Sequence, residues 1–271
     1  MSNNPGDVSE DNIIGDSITT DDDPPAPVAN PTVIGDIMDR DRRGGTVALR
    51  ADAADRYYTY RDFITTSYKS GNVIRYLGGR SGDDMLLIPN PLPEPVLAFY
   101  GAAQLGIVTR FDKTVQRDHS AEELPQVVLA PSTQEEAFEL PPGHKLAVYG
   151  DPPAASTTTH WETEVWSENP AIHPTSVAPS DIALNTGAQT YTHEEIITAA
   201  VRVVDQVTIT PGTDVVVRES LMNPRVVVAG LIAPLLAGAT IVFPDETTTG
   251  EIGVSTETVP ESKRIDLNSI W

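Results

Sequence analysis

The feature that most constrains the fold is an alternation of short apolar segments, some with the period of a helix and others with that of a strand. Gly78, Gly106 and Gly238 follow three of the helical segments. The pattern predicts a helix over residues 59–77, a strand over 84–89, a second apolar helix over 94–105 and a strand over 107–111. A preceding strand is predicted over 46–50. Because parallel strands need a long crossover between them, this strand–helix–strand order predicts a mainly parallel sheet.

A second series of the same kind follows later in the chain. A strand is predicted over residues 181–184, and Thr192 with Glu195 forms a capping-box pattern that begins a helix. Asn223-Pro224 and Gly238 then bound an apolar helix, and a strand follows at 239–243. We therefore predict an α/β protein with mainly parallel sheets flanked by helices, arranged in two subdomains.

The changes in composition along the chain suggest where these subdomains lie. An acidic segment rich in Pro, Asn and Ser predicts disorder, a segment rich in Pro, Thr and Ser predicts a linker, and a segment rich in Thr and Glu predicts a solvated tail. The predicted division is a disordered N-terminus over 1–35, a first α/β subdomain over 36–150, a linker over 151–180, a second α/β subdomain over 181–245 and a tail over 246–271.

The charge of the chain excludes some classes of partner. The 39 acidic and 18 basic residues give a net charge of −21, which disfavours nucleic acid and anionic membranes. Only four of the basic residues are lysines, and the acids lean toward Asp. Since molar salt screens the self-repulsion of such a surface, we predict a halophilic source.

Cysteine usage and hydrophobic runs bear on location. The chain has no Cys, which excludes disulfides and thiolate sites. The N-terminus has no basic segment followed by an apolar one, so no secretory signal is predicted. Residues 226–243 approach the length of a membrane span, but the Pro at their start and Gly238 within them favour a buried helix followed by a buried strand. We predict a cytoplasmic protein without a membrane partner.

Several short motifs, each weak alone, occur in an order typical of one family. They are Thr59-Tyr60-Arg61-Asp62-Phe63, Gly82-Asp83, Pro89-Asn90, Pro93-Glu94, Gly106-Ile107-Val108, Asp181-Ile182-Ala183, Thr192-His193, Ala233-Pro234-Leu235 and Gly238-Ala239-Thr240. In order and spacing they resemble the N-terminal portion of the AMP-forming acyl-CoA synthetase and acyl-adenylating superfamily, over residues 40–112 and 180–245. An accidental likeness between two α/β proteins is the alternative.

The resemblance implies a phosphate-binding loop, and this part of the sequence departs from the family. Members activate a carboxylate with ATP through a T-S-G-T-T-G-x-P-K-G loop, whose glycines and Lys suit close contact with phosphates. Here residues 185–191 contain one Gly, no Lys and no Pro, and the connection is shorter. The degenerate cofactor-binding positions are Thr186, Gly187, Ala188, Gln189, Thr190 and His193. A tight turn and an open anion-binding nest both remain possible for this segment.

Other parts of the family's machinery are also not recognisable in the sequence. The resemblance implies an aromatic-Gly-x-Thr-Glu segment, an Asp at the ribose and a C-terminal lid with a catalytic Lys. Residues 252–257 resemble the Thr-Glu segment without its aromatic residue, and residues 250–254 resemble a later Gly-Glu-Leu strand. No sequence follows Trp271 that could supply a lid, so we expect closure over a substrate to be lost.

No other group of residues forms a recognisable catalytic or metal-binding motif. The five histidines have no metal-ligand spacing, so we expect surface or loop positions, with His193 partly exposed in the first turn of its helix. Asp83 and Asp84 would face opposite ways on a strand, and Ser132 and Ser220 lie in no nucleophile elbow. We therefore predict neither a catalytic residue nor a metal site.

These observations support two functional hypotheses. The first is a non-catalytic, truncated relative of the synthetases that binds, regulates or scaffolds, with no cofactor and with a full-length synthetase as partner. The alternative is one half of a split ATP-dependent acyl-activating ligase. In that case ATP or AMP and CoA would be ligands, and a complementing chain would be the partner.

Overall fold

The structure is a computed structural model that describes residues 23–114 and 124–271. Its strands are β1 (Val47–Ala51), β2 (Arg56–Thr59), β3 (Asp84–Leu87), β4 (Val108–Phe111), β5 (Val127–Pro131), β6 (Lys145–Tyr149), β7 (Thr159–His160), β8 (Ile182–Asn185), β9 (Thr190–Thr192), β10 (Asp214–Val217), β11 (Thr240–Phe243), β12 (Ile252–Val254) and β13 (Lys263–Ile265). Its α-helices are α1 (Tyr60–Tyr76), α2 (Pro93–Ala103), α3 (Trp161–Ser167), α4 (His193–Val207), α5 (Pro224–Val227) and α6 (Ala233–Ala237).

The strands form two sheets, as the predicted α/β class requires. One has six strands in the order β13-β12-β10-β11-β1-β2, and the other has seven in the order β7-β6-β5-β3-β4-β8-β9. Within each sheet the pairing is parallel except at one edge, where β2 pairs antiparallel with β1 and β9 with β8. The predicted fold class, mainly parallel sheets flanked by helices, is confirmed.

The two sheets do not follow the sequence division at residues 151–180. β1 and β2 come from the first predicted subdomain, but β1 pairs with β11 and β2 with β1. Conversely, β8 and β9 come from the second and extend the sheet of β3 and β4. Each sheet therefore contains strands from both stretches of chain. This exchange makes the folding of the two stretches interdependent.

The helix signals in the sequence correspond to the observed ends. Thr59 caps α1 by accepting the N–H of Asp62, and Thr192 and Glu195 form the complete capping box of α4. Residues 224–237 form one helical run, with a π-helical segment (Val228–Ile232) between α5 and α6. Gly238 ends this run with a φ of +80°, a conformation that glycine adopts at little cost.

Residues 23–35 differ from the sequence prediction of disorder. The N–H of Val28 donates to the carbonyl of Leu236, and the Ile34 side chain is fully buried. The prediction is wrong for residues 23–35, because the apolar side chains of this segment pack against the core despite their polar neighbours. Residues 1–22 of the predicted disordered segment lie outside the described residues.

The predicted linker and tail also contain ordered structure. Within 151–180, β7 joins the edge of the seven-stranded sheet and α3 buries Trp161. Within 246–271, β12 pairs with β10 and β13 with β12. The expectation of a solvated tail is wrong, because its apolar residues complete the core despite the Thr and Glu around them. Ile252, Val254, Ile265, Leu267 and Ile270 are the buried ones.

Among the described residues, no helix combines the length and apolar character needed to cross a membrane. The apolar run that approached that length is divided between the helical run over 224–237 and β11. All of its residues from Val226 to Phe243 are buried inside the protein. This agrees with the sequence interpretation of that segment as a core helix followed by a core strand.

Candidate functional site

The segment at the phosphate-loop position forms a tight β-hairpin between β8 and β9. The N–H of Thr186 donates to the carbonyl of Gln189 at 2.9 Å, and the N–H of Gln189 donates to the Thr186 hydroxyl at 3.1 Å. Gly187 has a φ of +79° as the first of two central residues, as in type II′ turns. Of the two conformations that the sequence left open, the chain adopts the tight turn.

Three backbone N–H groups of this turn are used within the hairpin itself. Besides Thr186 and Gln189, the N–H of Gly187 donates to Oδ1 of Asn185 at 2.8 Å. The turn residues Gly187, Ala188 and Gln189 are exposed to solvent. Anion-binding nests depend on consecutive N–H groups that point into one concavity. The hairpin offers no such arrangement of the N–H groups of Thr186, Gly187 and Gln189.

His193 lies away from the turn, at the first position of α4, and it is fully buried rather than partly exposed. Its Nδ1 accepts the N–H of Ile34 at 3.2 Å, so the N-terminal segment covers it. Burial is the main cause that lowers the pKa of His193 to about 4, although Asp181 and Asp36 oppose this shift. The expectation of a partly exposed residue is wrong because nothing near His193 in sequence indicates the covering segment.

The N-terminus of α4 also lies away from the turn. The N–H of His193 donates to the carbonyl of Asp181 at 3.0 Å, and the N–H of Glu194 to that of Pro179 at 2.9 Å. These acceptors precede β8, so α4 begins beside the start of that strand, whereas the turn is at its carboxyl end. The positive end of the helix dipole is therefore not directed at the hairpin turn.

The segments that follow β5 and β6 are bonded to each other beside the crevice at which α/β sheets commonly bind ligands. The order of the seven-stranded sheet reverses between β3 and β5, whose carboxyl ends flank the usual binding position. Next to it, after the paired strands β5 and β6, Ser132 accepts the N–H of Asp151 at 3.1 Å. The Glu135 carboxylate accepts the N–H groups of Ala154 and Ala155, and the hydrogen bond from Ala154 is the main cause that lowers its pKa.

A second group of polar residues surrounds the start of α2. Glu94 is almost fully buried, and its Oε1 is paired with Arg56. Nearby, the N–H of Gly150 donates to Oε1 of Glu162 at 2.7 Å. Burial, reinforced by the negative charge of Glu94, raises the pKa of Tyr149 beyond its usual range. No local sequence pattern indicates this group, because its members come from four separate stretches of chain.

Glu94, Glu162 and Asp62 line a groove of about 440 Å³ between α1, the start of α2, and α3. Its aromatic residues are Tyr58, Trp161 and Trp166. Trp161 is buried, whereas Trp166 is 86% exposed at the rim. None of the lining residues belongs to the hairpin. The groove therefore combines three aromatic residues with three carboxylates.

His173 lines a smaller cavity of about 160 Å³ together with Tyr68 and Gln104. The imidazole stacks on Tyr68 with 5.5 Å between ring centroids, and neither nitrogen has a hydrogen-bond partner among the described residues. Burial, followed by the charges of Arg75 and Arg40, lowers the pKa of His173 to about 4. This histidine is therefore neutral near pH 7, and it is not the surface residue that the sequence suggested.

The described residues contain no cluster of three or more His, Asp or Glu side chains suited to a metal ion. Asp83 and Asp84 lie at the amino end of β3. Ser132 and Ser220 hydrogen-bond with nearby backbone N–H groups, of Asp151 and Met222 respectively. Within the described part of the chain, the hydrogen bonds of Ser132 and Ser220 therefore include none to a histidine or a carboxylate.

At the level of sequence, no protein-family profile and no curated protein sequence matches this chain. Solved structures of acyl-activating enzymes do match its fold. An anthranilate CoA ligase, AuaEII, solved with anthranoyl-AMP, superposes with a TM-score of 0.71 at 18% identity and covers 82% of this chain. The N-terminal domain of FACL13 from Mycobacterium tuberculosis gives 0.64 at 18%, with the same 82% covered. The nonribosomal peptide synthetase FmoA3, solved with AMPPNP, gives 0.64 at 21%, again with 82% covered.

These likenesses establish the fold, which is that of the N-terminal portion of AMP-forming ligases and adenylation domains. The alignment spans 49% of the anthranilate ligase, 62% of the FACL13 domain and 24% of FmoA3. This chain therefore corresponds to about half the length of a CoA ligase. The shared fold confirms the expected family resemblance at the level of structure.

Proposed function

We propose that this chain, which has the fold of the N-terminal portion of the acyl-adenylating enzymes, is a non-catalytic binding protein. The observation that carries the proposal is the hairpin over Asn185–Thr192, in which the N–H groups of Thr186, Gly187 and Gln189 are bonded internally. The residues at the positions that would hold phosphate instead form a turn. The fold is retained, while the part that would bind ATP has become structural.

The chemistry of adenylate formation explains why this position matters. A carboxylate oxygen must attack the α-phosphorus while pyrophosphate leaves, so the enzyme must hold a triphosphate and stabilise its increasing charge. Backbone N–H groups and cations supply that stabilisation. In this hairpin the turn residues include no Lys or Arg. α4 begins away from the turn, and its first N–H groups donate to the carbonyls of Asp181 and Pro179. These residues therefore cannot perform the phosphate-binding role.

The direct test is carboxylate-dependent exchange of labelled pyrophosphate into ATP, measured in molar KCl with a panel of aliphatic and aromatic acids. We expect no exchange above the protein-free rate. A catalytic CoA ligase that tolerates the same buffer would serve as the positive control. Exchange that depends on any one acid would refute the proposal. Its loss when Thr186 and Gln189 are both replaced by Ala would assign that exchange to the hairpin.

A split ligase is the second candidate, supported by the coverage of only 49% of the anthranilate ligase. Under this hypothesis a separate chain supplies the remaining half together with ATP-binding residues. The tagged chain, expressed in its native host, would then co-purify in high salt with a second polypeptide, and the pair would catalyse exchange. Purification of the chain alone, or with an intact synthetase that does not require it for exchange, would favour the first candidate.

The proposed cellular setting is a high-salt cytoplasm, with an intact synthetase as partner. The net charge of −21 supports the halophilic part of this proposal, because such a surface repels itself unless salt screens it. Circular dichroism between 0.1 and 3 M KCl tests it. We expect the folded signal to be lost toward the low-salt end, and full structure at 0.1 M KCl would contradict a halophilic adaptation.

A further inference from the structure

The groove between α1 and α3 has an unbalanced charge. Among its lining residues, the carboxylates are those of Asp62, Glu94 and Glu162, and Lys69 is the one cation. The Lys69 ammonium donates to the carbonyl of Trp166 at 3.2 Å, which keeps it at the rim. Arg56 pairs with Glu94 from outside the lining, and Asp62 and Glu162 still exceed the one cation. The groove therefore favours a cation over an anion.

Glu94 provides an independent indication of a ligand. Its side chain is only 4% exposed, and although Oε1 is paired with Arg56, Oε2 has no hydrogen-bond partner among the described residues. A buried carboxylate oxygen without a donor is costly, so such atoms are normally paired. The groove that Glu94 lines is where a donor could approach. A ligand that carries N–H or O–H groups could supply that donor.

The aromatic residues favour a cation that also has an apolar part. Trp166 is 86% exposed beside the carboxylates, and such an indole face attracts an ammonium group while costing little to desolvate. Leu97 and Val165 supply aliphatic surface within the same groove. A hydrated metal ion would not use these surfaces, whereas an alkylammonium group would use both the aromatic and the aliphatic ones.

We propose that this groove binds an organic ammonium compound that has N–H donors and a short apolar chain. The ammonium group donates to Glu94, is balanced by Glu162 and Asp62, and lies against the indole of Trp166. This inference rests on the proposed function, since it names the ligand class of a binding protein. It is independent of the hairpin, because no residue of the hairpin lines the groove.

The experiment is isothermal titration of the full chain with n-butylammonium chloride, at a total chloride concentration held constant with KCl. We expect saturable binding with one site per chain. Two other compounds serve as controls for the chemistry of the ligand. 1-Butanol lacks the charge and should not bind, and tetramethylammonium lacks N–H donors and should bind at least about five-fold more weakly.

Matched variants test the residues. Glu162 and Glu164 both lie on α3, but only Glu162 lines the groove. Glu162→Gln should weaken binding about five-fold, because it removes one partly exposed charge from the groove. Glu164→Gln should leave binding unchanged. Trp166→Ala should weaken binding about three-fold. Tyr76→Ala removes a similarly exposed aromatic residue outside the groove and should have no effect.

The outcomes separate this inference from the proposed function. No saturable heat up to 100 mM n-butylammonium, about the upper limit for a specific weak site, would overturn the inference. Equal effects of Glu162→Gln and Glu164→Gln would also overturn it, because binding would then follow overall charge. Neither result bears on pyrophosphate exchange. Conversely, detectable exchange would refute the non-catalytic function while leaving ammonium binding to be judged by its own titration.

Discussion

Two buried histidines should make the folded state sensitive to mild acid. His173 is 8% exposed and His193 is fully buried, and burial lowers the pKa of each from 6.5 to about 4. In the unfolded chain both rings are free to take up a proton near pH 6.5. Below that pH the unfolded state binds more protons than the folded state. Stability is therefore complete above pH 6.5 and is lost progressively as the pH falls toward 4.

The size of this effect follows from the two pKa values. For one histidine with a pKa of 6.5 unfolded and about 4 folded, the change from pH 7.5 to pH 5 costs about 2 kcal/mol of stability. The two histidines lie in separate surroundings, so their contributions should add to about 4 kcal/mol. Most carboxylates titrate below pH 5, so a measurement that stops at pH 5 reports mainly on the histidines.

The assay is urea unfolding at fixed KCl, followed by circular dichroism at pH 7.5, 6.5, 5.5 and 5.0. The variants are His173→Gln and His193→Gln, whose side chains do not titrate in this range. We expect each variant to be less stable than the parent at pH 7.5, but to lose only about 2 kcal/mol on going to pH 5. The double variant should be almost independent of pH in this range.

His144→Gln is the matched control, since His144 is only half-buried and bonds with the carbonyl of Pro125 on a loop. It should reproduce the pH dependence of the parent. The reasoning would be refuted if the parent lost less than about 1 kcal/mol between pH 7.5 and pH 5. It would also be refuted if His173→Gln and His193→Gln both kept the full pH dependence, because the protons would then bind elsewhere.

Two further substitutions test the packing of the N-terminal segment and of α1. A Cβ at Gly238 would overlap the carbonyl oxygen of Pro25, and the residue there would have to keep a φ of +80°. Gly238→Ala should therefore lower the free energy of unfolding in urea by more than about 2 kcal/mol. Gly143 has a φ of +101° but open space around it, so Gly143→Ala should cost only about 1 kcal/mol. Equal losses would contradict this packing. Tyr60→Phe removes a buried hydroxyl that donates to the carbonyl of Ala239 at 2.7 Å. It should lower the free energy of unfolding by about 1 to 2 kcal/mol in the same measurement. An unchanged stability would argue against this hydrogen bond.

The sequence predicted the elements that are specified locally. The caps at Thr59, Thr192 and Asn223 and the stop at Gly238 depend on side chains within a few residues, and all four lie at the observed helix ends. The fold class followed from the order of these elements. The distribution of strands between the sheets could not be predicted, because the pairing of β1 with β11 joins residues almost two hundred positions apart.

The candidate site was predicted only in part, for the same reason. The composition of residues 185–191 was enough to question phosphate binding, since one Gly and no Lys cannot form the family's loop. The burial of His193 depends on Ile34, and the groove depends on Glu94 meeting Glu162. Such contacts have no local signal. The tail did have one, in the alternation of Ile252 and Val254, and a strand lies at these residues.

Under the proposed function, the position of the hairpin explains how the fold is retained without phosphate binding. β8 pairs with β4 through Leu184, and α4 packs on the core through Ile196 and Val203, so the elements on both sides of the turn are fixed by apolar contacts. The turn itself is exposed, and no core residue depends on Gly187 or Ala188. A phosphate loop in this place can therefore shorten to a two-residue turn without disturbing the core. Selection for binding elsewhere on the surface, such as the groove beside Trp166, would then maintain the same fold, which is why the fold by itself is no evidence for adenylation.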